Sequence, residues 1–173
     1  MTDLYQKIIS QRSGLERIIA KIPGFRGYKE MTARREADRM IREHVVELLR
    51  EQMQRLVSVE KSILQKGGLA VAGKTREAKT QFQIFIDRVN TAAPGYAGFY
   101  SAQKVGSEEL ERIYAFDAAL VEYVDRLRDA IDTLETAARS DKSVDEAISV
   151  LETVANEANA ALNMRDDVIT GIR

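Results

Sequence analysis

Residues 107–138 read SEELERIYAFDAALVEYVDRLRDAIDTLETAA, and Leu110, Ile113, Asp117, Leu120, Val124, Leu127, Ile131, Leu134 and Ala138 recur along them in alternating steps of three and four. Side chains spaced this way line one side of an α-helix and form the seam of a coiled coil or a long bundle helix. Ser107, followed by Glu108 and Glu109, supplies an N-cap and an acidic first turn. The stretch therefore predicts a helix of about nine turns, and the rest of the chain is readable against it.

Beyond it, Ser143-Val-Asp-Glu146 is a capping box, which opens a further helix. Val144, Ile148, Leu151, Ala155, Ala158, Leu162, Arg165 and Ile169 form its seam, and Ala155, Ala158 and Ala161 allow a neighbour close approach. Upstream, residues 30–66 contain neither Pro nor Gly. Ala37, Ile41, Val45, Leu48, Leu56, Val59 and Ile63 mark a face there, predicting one helix roughly 55 Å long at 1.5 Å per residue. Gly67-Gly68 ends it. Val71, Ala78, Phe82, Phe85 and Val89 mark another helix that closes near Pro94, and Leu4, Ile8, Leu15, Ile18 and Ile22 mark a first one that closes at Pro23-Gly24. No segment alternates with period two for long enough to make a strand.

The expected fold is thus all-α, an elongated bundle of about five helices with long, coiled-coil-like members. It is read as a single domain over 1–173, with helix–loop–helix units at about 1–66 and 69–139 and a C-terminal helix at about 143–171. The chain's only two prolines each open the same pattern: Pro23-Gly-Phe-Arg-Gly-Tyr28 and Pro94-Gly-Tyr-Ala-Gly-Phe99. A shift of 71 superposes Leu15-Glu-Arg-Ile18 on Ile86-Asp-Arg-Val89, and a shift of 79 superposes Asp38 on Asp117, Ile41 on Leu120 and Leu48 on Leu127. Heptad-patterned helices align with one another easily, so two alternatives stand: an internal duplication, or two independent hairpins.

Composition narrows the class. Hydrophobic residues make up 45% and charged residues 31%, the proportions of a soluble folded protein. Aromatics are 6% with no Trp, so Leu, Ile, Val and Ala must fill the core. Zero Cys excludes disulfides, thiolate catalysis and Cys-ligated zinc. No run approaches the roughly 18–20 apolar residues of a membrane span. The opening MTDLYQKIIS lacks a basic then apolar leader, so the expected location is cytoplasmic. The net charge of −1 conceals a division: residues 1–80 carry 17 Lys/Arg against 10 Asp/Glu, and residues 81–173 carry 9 against 17. Opposed halves can satisfy each other within the chain or between copies stacked head to tail, or the basic half can meet an outside anion.

Several motifs invite a sharper function. Gly68-Leu-Ala-Val-Ala-Gly73-Lys74-Thr75 satisfies G-x-x-x-x-G-K-T, yet a phosphate-binding loop needs a strand leading in, and a helical stretch precedes it. It reads as a Gly-marked helix junction. His44, the only histidine, lies between Met40 and Leu48 at the edge of an apolar stripe. It lacks the second His and the Glu-x-x-His spacing of a di-iron bundle, so no metal, catalytic or cofactor residue is assigned.

Asp117 is an oddity within its seam, where a carboxylate must be paired or hydrogen-bonded; Arg88 is its candidate partner in a buried polar pair. Arg34, Arg35, Arg39 and Arg42 form a candidate anion-binding cluster, although Glu36, Asp38, Glu43 and Glu47 interleave with it. Phe25, Tyr28, Tyr96, Phe99 and Tyr100, on their glycine-rich turns, are either plugs of the bundle ends or an interaction surface.

These readings converge on a non-enzymatic assembly or adaptor protein that works through helix-mediated contacts, its partner a protein and most simply a second copy of itself. The second expectation is a binder of nucleic acid or acidic lipid through the basic half. A bundle enzyme with nucleotide or metal ranks third. If Val59 and Ile63 protrude beyond the bundle, they require a partner.

Overall fold

In the computed structural model, the described residues are 19, 21–23, 31–66, 69–92, 107–140 and 143–171. They build four helices: α1 (Met31–Gln65), α2 (Leu69–Thr91), α3 (Ser107–Ser140) and α4 (Val144–Gly171). No strand occurs among the described residues. The breaks fall where backbone chemistry puts them. The α1–α2 junction holds Gly67-Gly68, and Pro94 follows the end of α2. Ser143 caps α4, its Oγ accepting from the Glu146 backbone N–H at 3.4 Å. The expected first helix lies outside the described residues except at its end, where Ile19 and Lys21 are helical and Ile22 is buried.

The helices form a ring. α1 lies beside α2, α2 beside α4, α4 beside α3, and α3 beside α1. Short junctions make α1–α2 and α3–α4 antiparallel hairpins. Cross-hairpin contacts set the hairpins side by side in the same direction. Arg55 of α1 meets Asp132 and Glu135 of α3, while Lys66, further along α1, reaches the Ala138 carbonyl, further along α3. Lys74 of α2 meets Asp145 of α4, and Arg88 reaches Asn159 and Asn163. Both sequences climb together, so α1 runs parallel to α3 and α2 parallel to α4.

The core fills the ring. Leu120, Val124, Leu127, Ile131, Leu134 and Ala138 of the opening stretch are all buried, as are Ile148, Leu151, Ala155, Ala158 and Leu162 of α4. On α1 the seam runs Ile41, Val45, Leu49, Gln52, Leu56, Val59, Ile63, every one buried. Leu48, expected on this face, is only partly buried. Steps of four and three from Val45 lead to Leu49, and the polar Gln52 disguised that register. Val59 and Ile63 are each 6% exposed. They do not protrude; the chain's own helices cover them, and that ground for requiring a partner falls away.

α3 differs from the other helices in one respect. Tyr114 through Val121 are buried without a break, Asp117 among them at 1% exposure. Eight consecutive buried residues span every side of a helix, so this stretch of α3 is enclosed, whereas α1, α2 and α4 each keep an exposed face.

Candidate functional site

The candidate residues fall into three groups. Phe25, Tyr28, Tyr96, Phe99 and Tyr100 lie outside the described residues. The start of α1, the end of α2 and the start of α3 share one end of the bundle, and an Arg42 Nη1 hydrogen bond to the Ala92 carbonyl (2.7 Å) ties the first two together. In the sequence the 23–28 motif precedes α1 and the 94–99 motif follows α2.

The basic cluster sits in the first turns of α1. Arg34 and Arg35 are in the helix, and their side chains are outside the described set. Arg39 is exposed and its Nε donates to Glu43 at 2.6 Å; that hydrogen bond, reinforced by the carboxylate's charge, raises the guanidinium pKa. Arg42 is half-buried against the end of α2. Two of the four arginines are therefore engaged within the chain, the arrangement the interleaved acids favour.

Arg88 and Asp117 lie on α2 and α3, which occupy diagonal corners of the ring. The Arg88 guanidinium is directed to α4, with Nη1 donating to the Asn159 carbonyl at 3.0 Å and Nη2 to Asn163 Oδ1. Asn159 completes a polar node, its Nδ2 donating to the Gln81 carbonyl at 2.9 Å and to the Ala155 carbonyl at 3.0 Å. This node was missed in the sequence, where Asn159 reads as one polar residue among alanines. The available signal was the small-residue stripe, since only close helices let so short an amide reach a neighbouring backbone.

The G-x-x-x-x-G-K-T segment is helical from Leu69 onward, so no phosphate-wrapping loop forms. Lys74 pairs with Asp145 at 3.2 Å, and Thr75 is fully buried with its hydroxyl donating to the Val71 carbonyl at 3.0 Å. His44 is half-buried on α1. Among the described residues no three His, Cys, Asp or Glu side chains gather as a metal site.

The charge division, by contrast, is put to structural use. Every ion pair described between the N-terminal portion or the α1–α2 hairpin and the α3–α4 hairpin runs from the basic half to the acidic half. Lys21 meets Asp125 and Glu122, Arg55 meets Asp132 and Glu135, and Lys74 meets Asp145. The Asp132 hydrogen bond, aided by Glu135, raises the Arg55 pKa against a smaller opposing effect of burial. Internal complementarity thus accounts for much of the division.

Two shallow grooves mark the surface. One, of about 420 Å³ between α1 and α3, is lined by charged and hydroxyl side chains including Glu51, Arg55, Ser58, Glu135 and Arg139. The other, of about 530 Å³ between α3 and α4, is lined by residues including Asp132, Thr136, Ala137, Glu146, Ala147 and Val150. Among the described residues no helix is long and apolar enough to cross a membrane. Comparison with protein-family models, curated proteins and solved structures finds no match to this chain.

Proposed function

We propose that this chain is a non-enzymatic helical assembly or adaptor protein of the cytoplasm, acting through protein–protein contacts and associating with itself. One observation carries the reading: the chain repeats a Pro-Gly-aromatic-x-Gly-aromatic motif, at 23–28 ahead of α1 and at 94–99 after α2. Aromatic side chains on glycine-punctuated turns supply large contact area at low entropic cost, and pairing two such turns multiplies it. Engagement of Arg39 by Glu43 and of Arg42 by the Ala92 carbonyl weighs against the anionic-surface reading.

Two finer features of the fold belong to the same proposal. A fifth helix over about residues 4–22 is supported by the helical Ile19 and Lys21, the burial of Ile22, and the Lys21 pairing with α3. The enclosure of Tyr114–Val121 also asks for more neighbours than α1 and α4 alone. An internal duplication is supported by the equivalents Asp38/Asp117 and Ile41/Leu120, which fall on two parallel neighbouring helices, while Leu48, aligned with the buried Leu127, is only partly buried.

Light scattering on the purified chain tests the function. The expected result is a mass above that of one chain at high concentration, reduced in Tyr28→Ser/Phe99→Ser with helical content unchanged. A compact monomer at every concentration rejects self-association.

A further inference from the structure

The ring order places the outer faces of the two hairpins on opposite sides of the bundle. Residues 31–92 carry 12 Lys/Arg against 8 Asp/Glu, and residues 107–171 carry 6 against 16. Charges near the seam between hairpins neutralise each other, as Arg55 and Lys74 do with Asp132 and Asp145. Among the described residues, exposed charges that make no ion pair include Lys61 on α1 and Glu146 on α4.

On the basic side, α1 carries a second stripe outside its core seam: Arg50, Gln54, Val57, Lys61 and Leu64, again in steps of four and three. Leu64 is 41% exposed and Val57 half-buried, so the stripe holds two apolar positions flanked by cations. The Lys79–Glu60 pair sets the level of α2 against α1 and brings Arg76 near the level of Lys61. Arg50, Lys61 and Arg76 are exposed and make no ion pair among the described residues.

On the acidic side, the α3–α4 groove offers the counterpart. Its lining includes Ala137, Ala147, the 50% exposed Val150, the exposed Glu146, and Asp132, which Arg55 already engages. The hydroxyls of Thr133 and Thr136 are bonded to their own helix backbone and demand no other partner.

We infer that copies of this chain stack head to tail, the basic α1–α2 outer face of one seating on the acid-lined α3–α4 groove of the next. The occupant is a second copy because one chain carries both complementary surfaces, and carries them back to back so that they cannot meet within it. Such a contact is heterologous: each copy retains one free face of each kind, and assembly continues beyond a dimer. The inference rests on the self-association proposed above and adds to it lateral surfaces distinct from the aromatic turns.

Light scattering across protein concentration, in low and in high salt, tests it. The expected mass grows past that of a dimer in low salt and returns to one chain in high salt. Arg50→Glu/Lys61→Glu/Arg76→Glu and, separately, Glu146→Lys/Val150→Lys should each remain monomeric while keeping the helical circular-dichroism signal. Mixed together, one has two acidic faces and the other two basic faces, and association should return. Val150→Ser, which leaves the charge alone, should weaken association about tenfold. Association that persists in both charge-reversed variants overturns head-to-tail stacking while leaving self-association standing. A wild-type chain that is monomeric under all conditions overturns both.

Discussion

The two seams joining the hairpins run parallel to one another and are built from different materials. Where α1 meets α3, long side chains bridge the edge: Arg55 to Asp132 and Glu135, and Lys66 to the Ala138 carbonyl. Leu56, Val59 and Ile63 fill the space behind. Where α2 meets α4, alanines at 155, 158 and 161 thin the surface, and the short Asn159 amide reaches the Gln81 backbone directly. A spacious seam is closed by flexible charges over a bulky core, and a tight one by small residues and a fixed amide. Energetically the difference matters, because exposed charge pairs contribute little whereas packing and buried hydrogen bonds contribute more.

Four substitutions and a titration probe that contrast, taken from the largest expected effect down. Leu56→Ala should destabilise the chain by about 2–5 kcal/mol in urea unfolding, because it opens a cavity behind the α1–α3 seam. Ala158→Leu should cost about 1–3 kcal/mol by overfilling the tight seam; an insensitive variant would show that α2 and α4 are not in close contact. Asn159→Ala should cost about 1–2 kcal/mol, since Arg88 loses an acceptor in a half-buried setting.

Arg55→Ala should cost no more than about 1 kcal/mol, because its partners are one-third to one-half exposed. The gap between wild type and this variant should narrow as salt rises. If Arg55→Ala exceeds Asn159→Ala, the contrast between the seams is inverted.

The smallest effect concerns Tyr123, buried on α3 with its hydroxyl lacking a hydrogen-bond partner among the described residues. Burial raises its pKa above 10.0, with Arg126 beside the ring opposing. The unfolded chain therefore releases this proton first as pH climbs through about 10, and stability present below that pH is lost above it. Tyr123→Phe should be nearly neutral at pH 7 and should flatten the alkaline decline seen in thermal unfolding.

Much of the fold was legible because helix periodicity is local. The heptad in residues 107–138, the Gly67-Gly68 break and the Ser143 capping box each depend on neighbours within a few residues, and α1, α2, α3 and α4 appear where those signals lie. The error at Leu48 has the same origin. A buried Gln52 interrupts the apolar pattern, so the true register through Leu49 was hidden by one polar side chain. The candidate sites were less legible. Arg88 could be recognised as a cation needing a partner, but its direction toward Asn159 and Asn163 depends on which helices adjoin α2.

The sequence alone determined that this protein is helical, where its long helices begin and end, most of the residues in their buried stripes, and that its charge is divided. Those properties follow from spacing, caps and composition along the chain. Only the tertiary structure decided that α1 lies parallel to α3 and α2 to α4. From that follow the intrachain pairing of basic with acidic half and the burial of Val59 and Ile63. Neighbour choice among amphipathic helices rests on side-chain volume and on contacts between residues some 70–80 positions apart, which no local pattern encodes.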